Sequence, residues 1–87
     1  MEITNYMEVV VKDVVELELK KIDKKWINDA RRKLDIMALI LNRLPARYVV
    51  TEKGWIMTKI KETEVQFQAD ILREMVRAIK IVEDNPR

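Results

Sequence analysis

Apolar residues recur with the period of an α-helix from Asn5 to about Lys25. One stripe has the spacing i, i+4, i+8 and i+11, and consists of Tyr6, Val10, Val14 and Leu17. Asn5 followed by Glu8 is typical of a capping box, which marks the start of a helix. The valines between residues 9 and 15 favour a strand because β-branching restricts χ1 in a helix. The strict alternation of a strand is absent, so the pattern predicts a helix.

A second helix is predicted to start near Asn28 or Asp29 and to end before Pro45. Its main apolar stripe is Leu34, Met37, Ala38, Leu41 and Leu44, and the opposite side carries Ile36, Leu39 and Ile40. A helix that is apolar on two sides is buried in more than one direction. We therefore expect either a central helix of the domain or a helix whose outer side meets a second copy of the chain.

Residues 45–62 lack helical periodicity. The segments 48–51 and 55–58 are short and strand-prone, and Gly54 between them is suited to the positive φ of a turn. Two alternatives stay open for this region, a small hairpin and an ordered loop.

The last helix is predicted from about Thr63 to Asp84. Thr63 and Gln66 have the spacing of a capping box, and Asn85-Pro86 would end the helix. Its apolar stripe is Leu72, Met75, Val76, Ile79 and Val82, extended by Phe67 and Ile71. The predicted fold class is all-α: a single domain over residues 1–87, with three helices and a loop or β-hairpin insert before the last.

The composition removes several classes of function. The 87 residues include no cysteine and no histidine, which excludes disulfides, thiol catalysis and zinc sites with those ligands. The single glycine excludes a glycine-rich phosphate loop, and no nucleophile–base pair is evident, so we expect no enzymatic activity. No apolar run is long enough to span a membrane, and no signal peptide is visible. We expect a cytoplasmic protein without membrane contact.

Positive charge is concentrated in the middle of the chain. Residues 20–33 contain seven basic and two acidic residues, whereas residues 1–19 contain one basic and five acidic residues. A basic stretch attracts the phosphates of nucleic acids or nucleotides, and it also keeps a small domain soluble. Because the net charge is only +2, we do not expect a nucleic-acid-binding module.

Two polar residues of the second helix, Asp35 and Asn42, share one face because they are seven residues apart. Their neighbours are apolar, and a partly buried carboxylate is costly without a partner. In one interpretation Asp35 pairs with Arg31 or Arg32 and Asn42 caps the helix. In the other interpretation both side chains recognise a ligand.

The segment Arg43–Tyr48 combines a helix-ending Pro45 with two guanidinium groups and a phenol. Arginine is suited to bidentate recognition of phosphate or guanine, and Tyr48 offers an aromatic face and a hydroxyl. Alternatively, Arg43 and Arg47 favour the negative end of the helix dipole, and Tyr48 packs in the core.

A tryptophan directly follows the glycine of the segment Thr51–Trp55. Trp55 is either an anchor in the core or a platform on which a base stacks.

At these residues the sequence resembles the ComFB family of late competence development proteins. The resemblance covers most of the chain and is strongest over residues 35–48. Its most specific part is the run Leu41-Asn42-Arg43-Leu44-Pro45-x-x-Tyr48, and the later Gly54-Trp55 looks like a variant of the family pattern.

The resemblance implies a small helical homodimer that binds a cyclic dinucleotide such as cyclic di-GMP or cyclic di-AMP. It also implies a downstream protein partner in competence, motility or another second-messenger output. Some members carry a cysteine cluster before the position of Asp35 that looks like a zinc site. This chain has no cysteine there, so zinc is not expected.

Together with the residue chemistry, the resemblance predicts a binding site for this ligand. The predicted ligand-binding residues are Asp35, Asn42, Arg43, Pro45, Arg47, Tyr48, Thr51, Lys53 and Trp55. The basic side chains supply charge for two phosphates, and the aromatic ones supply planes for two bases. The carboxylate and the amide read a base edge, since a carboxylate can accept two hydrogen bonds from guanine. The competing hypotheses are an adaptor dimer without a ligand, joined through the second helix, and a nucleic-acid-binding module.

Overall fold

The computed structural model describes residues 1–22, 25, 29–51 and 53–84, and for residue 51 and residues 53–61 it describes the backbone alone. The elements in chain order are β1 (Glu2–Asn5), α1 (Tyr6–Ile22), α2 (Ala30–Leu41), β2 (Tyr48–Thr51) and α3 (Lys53–Asp84). The three helices pack on one another, and the two strands form a small antiparallel ribbon. The predicted three-helix fold is confirmed, with a two-stranded sheet added. The predicted end signal Asn85-Pro86 lies outside the described residues.

The first helix begins where its capping signal predicts. Asn5 Oδ1 accepts a hydrogen bond from the backbone N–H of Met7 at 3.1 Å, which satisfies one of the free donors at the helix start. The buried residues of α1 are Tyr6, Met7, Val10, Val11, Val14, Val15 and Leu19. Met7, Val11 and Val15 widen the predicted stripe as their spacing predicts, whereas Leu17, a member of that stripe, is exposed and Leu19 is buried.

The second helix starts at the predicted cap, ends at Leu41 before Pro45, and is buried most deeply on the side opposite its predicted main stripe. Met37, Leu41 and Leu44 of that stripe are partly buried against the core. The Asp29 side chain caps its start by accepting from the backbone N–H of Arg32 at 3.0 Å, and Asn42 is its C-terminal cap. Ile36 and Ile40 are fully buried, whereas Leu34 of the predicted main stripe is 62% exposed. Both faces are apolar enough to be buried, so the pattern alone could not choose between them.

The strand Tyr48–Thr51 pairs with the start of the chain. Its register places Ile3 opposite Val50 and Asn5 opposite Tyr48. The alternative of a hairpin with residues 55–58 is therefore wrong, because those residues belong to α3. A strand this short is specified by its partner more than by its own propensity, and β1 supplies that partner.

The third helix begins earlier than predicted. It starts at Lys53, so Gly54 lies within a helix and has no positive φ. Thr63 is a buried residue inside the helix, and its predicted role as the N-cap is wrong. The buried face consists of Ile71, Met75, Ala78 and Val82, whereas Val76 is exposed. In the described part of the chain, no helix has the length and apolar character needed to cross a membrane.

Replacing Ile40 by alanine is expected to lower the free energy of unfolding by about 2–5 kcal/mol, because buried methylene groups are lost and a cavity remains. Leu34→Ala on the same helix is the matched control. Since Leu34 is largely exposed, its replacement should cost less than about 1 kcal/mol. Urea unfolding followed by circular dichroism measures both values, and equal losses would contradict the assigned faces of α2.

Candidate ligand-binding surface

The connector between α2 and β2, residues 42–47, is held by hydrogen bonds at both ends. At its start, the backbone N–H groups of Arg43 and Leu44 donate to the carbonyl of Ile40 at 3.0 and 3.2 Å. At its end, the backbone N–H of Arg47 donates to Asn5 Oδ1 at 2.8 Å, and the carbonyl of Arg47 accepts from the N–H of Tyr6 at 2.8 Å. The exposed Pro45 lies between these anchors. Four hydrogen bonds of the backbone thus fix a connector in which residues 45–47 are exposed.

Arg47 presents a positively charged group on this connector. Arg47 is exposed, and its guanidinium carbon lies 4.5 Å from the centre of the Phe67 ring. Phe67 is itself half-buried against the core on α3. The contact is a cation–π interaction, which holds the guanidinium at the surface without neutralising its charge.

Tyr48, the first residue of β2, does not pack in the core. The residue is 67% exposed, so the interpretation of Tyr48 as a core residue is wrong. Side chains of a strand alternate between faces, and the inward position belongs to Val49, which packs against the core. Tyr48 therefore stands on the outer face of the ribbon, one residue after Arg47.

The outer face of the ribbon contains two residues that the sequence analysis missed. Ile3 and Val50 form a cross-strand pair, and both are exposed on the same face as Tyr48. Sequence reasoning overlooked them because the four-residue strand β1 was not recognised. The one signal in the sequence is the β-branched pair Ile3-Thr4, which favours a strand but is too short to predict one by itself.

Arg43 is committed to a different interaction. Its Nε lies 3.0 Å from both carboxylate oxygens of Glu74 on α3, and the Glu74 side chain is only 9% exposed. A carboxylate that is this buried needs a positive partner. Arg43 therefore holds the end of α2 against α3, while Arg47 extends over the Phe67 ring.

Asp35 and Asn42 line one groove, as their spacing predicts. The groove runs between α2 and α3 with a volume of about 380 Å³, and its other described lining residues are Asp29, Arg31, Arg32, Ala38, Leu39, Ile81 and Val82. Neither Arg47 nor Tyr48 is among them. The Nε of Arg32 pairs with Asp29 at 3.2 Å, and Asn42 also caps α2 as predicted.

The backbone places the remaining predicted site residues around the junction of β2 and α3. Thr51 is the last residue of β2, Lys53 is the first of α3, and Trp55 follows in its first turn. Their side chains lie outside the described part of the structure. The described residues thus divide the predicted site into an outer surface, formed by Pro45, Arg47 and Tyr48, and a groove on α2.

The fold and this surface define a small helical domain with a two-stranded ribbon and an exposed cation beside an exposed ring. The sequence profile described as late competence development protein ComFB matches residues 4–86. The chain belongs to the ComFB family, which is not a known enzyme family.

A solved structure shows the same fold. The late competence protein ComFB from Bacillus subtilis superposes with a TM-score of 0.78 at 21% sequence identity. The superposition covers 99% of this chain and 93% of that chain. Comparison with curated proteins gave no match.

Removing the charge of Arg43 leaves the carboxylate of Glu74 buried without this partner. We expect Arg43→Met to lower the free energy of unfolding by about 1–3 kcal/mol. The double variant Arg43→Met/Glu74→Gln should recover part of the loss, because no buried charge remains. Chemical denaturation of the single and double variants measures both effects.

The control for this prediction is the exposed pair Asp70–Arg73, with a distance of 3.0 Å. Arg73→Met should cost less than about 1 kcal/mol, since exposed ion pairs contribute little. If Arg43→Met is no more destabilising than Arg73→Met, the Arg43–Glu74 pair does not hold α2 on α3.

Proposed function

We propose that this chain is a non-enzymatic receptor for a cyclic dinucleotide, cyclic di-GMP or cyclic di-AMP, in bacterial second-messenger control of competence or motility. Membership of the ComFB family supports the link to competence. The observation that carries the proposal is the pair Arg47–Tyr48, in which an exposed cation and an exposed aromatic ring follow each other on a fixed backbone.

The chemistry of the ligand matches these two groups. A cyclic dinucleotide has two phosphates and two bases, so it needs cations and flat surfaces at short spacing. In the proposal Arg47 binds a phosphate, and a base stacks on Tyr48 beside the rigid edge of Pro45. The apolar pair Ile3–Val50 extends the surface under the base.

The other predicted residues take supporting roles in the proposal. Lys53, Thr51 and Trp55 follow Tyr48 along the chain and supply a second cation, a hydroxyl and a second ring. Asp35 and Asn42 would form hydrogen bonds to a base edge from the groove on α2. Asn42, which lines this groove, is three residues before Pro45 in the sequence. Arg43 keeps the connector on α3 through Glu74 and contributes positive charge only at longer range.

The proposed signal is a change of surface. A ligand over Arg47 and Tyr48 would cover an exposed ring and neutralise an exposed charge, and a partner protein would meet a different surface in the bound state. The downstream partner would therefore recognise the ribbon side of the domain. No chemical step on the ligand is required for this output.

Tyr48→Ala is expected to weaken binding of the cyclic dinucleotide by about 5- to 150-fold, because one base loses its stacking surface. Tyr48→Phe should retain most of the affinity, and Arg47→Ala should also weaken binding. Isothermal titration with cyclic di-GMP and cyclic di-AMP measures the affinities. Thermal unfolding should show little change for Tyr48→Ala, since the ring is exposed.

Val76→Ala, an exposed position on α3, is the control that should leave binding unchanged. Absence of heat with both ligands at micromolar concentrations would reject the receptor. A dimeric unaltered chain that binds neither ligand would favour an adaptor.

The exposure of Leu34 favours a second candidate, an adaptor homodimer without a small ligand. Leu34 lies with Val9 and Met37 in a groove of about 560 Å³ between α1 and α2. The rim carries both signs of charge, on Glu8 and Glu16 and on Lys12 and Lys33. A surface with an apolar centre and charges of both signs is suited to contact a second copy of itself.

Leu34→Glu tests this candidate, because a charge at the centre of an apolar interface should convert the dimer to monomer. Sedimentation velocity measures the oligomeric state. Val76→Glu, an equally exposed apolar position on α3, should leave the dimer intact. A monomeric unaltered chain would rule out the adaptor dimer.

A further inference from the structure

We propose that Phe67 and Asn5 are positioning residues, which hold the guanidinium of Arg47 in place to receive a phosphate of the ligand. This inference rests on the proposed receptor function and adds two residues that the predicted site lacks. Neither residue needs to touch the ligand, since both would act through Arg47.

Asn5 fixes the backbone of Arg47. Its Oδ1 accepts from the N–H of Arg47 at 2.8 Å, and the next residue, Tyr6, donates its N–H to the carbonyl of Arg47 at 2.8 Å. Both polar backbone groups of Arg47 are thus bonded to consecutive residues at the start of α1. With both groups bonded, the backbone of Arg47 is fixed although its side chain lies at the surface.

Phe67 fixes the far end of the same side chain. The guanidinium carbon lies 4.5 Å from the ring centre, and the ring is half-buried against the core, so it is a stable platform. The side chain of an exposed arginine normally samples many rotamers, and binding a ligand then costs the entropy of ordering it. A guanidinium already held over a ring has lost much of that freedom before the ligand arrives.

The charge of Arg47 stays available for an anion. Arg32, Arg43 and Arg73 each pair with a carboxylate, on Asp29, Glu74 and Asp70 respectively. Among the described residues no carboxylate pairs with Arg47, and its contact is with the uncharged ring of Phe67. A ring face attracts the cation without neutralising it, so the N–H groups keep their capacity to donate to phosphate oxygens. This combination of a held position and an unpaired charge is what a phosphate site requires.

The test compares Phe67→Leu with Phe67→Tyr by isothermal titration with cyclic di-GMP and cyclic di-AMP. Leucine keeps the apolar bulk but removes the ring, so we expect affinity to fall by about two- to five-fold. Tyrosine keeps the ring face and should restore the affinity of the unaltered chain. Thermal unfolding of both variants is measured alongside. If the two variants are equally stable, a purely structural role for Phe67 would not explain weaker binding by Phe67→Leu alone.

Asn5 is tested in the same way. Asn5→Ser keeps an uncharged acceptor oxygen and the cap of α1, so it should bind the ligand more tightly than Asn5→Ala, which removes the acceptor. Val65→Ala, at an exposed position near Phe67 on the same helix, is the matched control. It should leave the affinity unchanged.

A second readout needs no ligand. The ring current of Phe67 should displace the NMR signal of the Arg47 Nε–H group, and Phe67→Leu should return that signal to the position of a free arginine. Equal affinity for the unaltered chain and Phe67→Leu would overturn the positioning role and leave the receptor intact. Absence of binding by the unaltered chain would overturn the receptor and the inference together.

Discussion

One side-chain oxygen, Oδ1 of Asn5, organises the part of the molecule on which the proposed function depends. It accepts from Met7 at the start of α1 and from Arg47 at the end of the connector. Two backbone donors that are far apart in sequence are thereby satisfied by a single acceptor. The beginning of α1, the beginning of β2 and the direction of the Arg47 side chain are all set at this point, and the ribbon pairs Asn5 directly with Tyr48.

The parts of this fold that the sequence predicts are those with local causes. The side chains of Asn5 and Asp29 cap backbone N–H groups within one turn, so the sequence locates the starts of α1 and α2, and Asn42 as a cap of α2 is one of two interpretations that the sequence leaves open. The ribbon depends on pairing between β1 and β2, which are far apart in sequence. A strand of four residues has too few alternating positions to predict which segment it pairs with. The start of α3 lies at Lys53, ten residues before the predicted start at Thr63, because the spacing of Thr63 and Gln66 resembles a capping box inside a continuous helix.

The candidate site shows a second limit of sequence reasoning. Arg43 and Arg47 are one helical turn apart in sequence, and residue chemistry gives them the same role. In the structure the two arginines have different partners on α3. Arg43 pairs with the buried carboxylate of Glu74, and Arg47 lies over the ring of Phe67. An arginine on a buried carboxylate is a structural neutralising group, whereas an arginine on a ring keeps its charge for another anion. Only the long-range packing of α3 decides between these outcomes.

This division of roles gives a small domain with a modest core a fixed surface for the proposed ligand. A buried core and the Arg43–Glu74 pair hold α2 against α3, and binding of the proposed ligand would change neither. The exposed Arg47 is instead held by Asn5 at its backbone and by Phe67 at its guanidinium. These two residues belong to β1 and α3, the first and last elements of the described chain. Because the held side chains remain in solvent, occupation of the surface needs no local unfolding of the helices. An output carried by such a surface is therefore a change in exposed chemistry, which a partner protein would detect directly, and a rearrangement of the bundle is unnecessary.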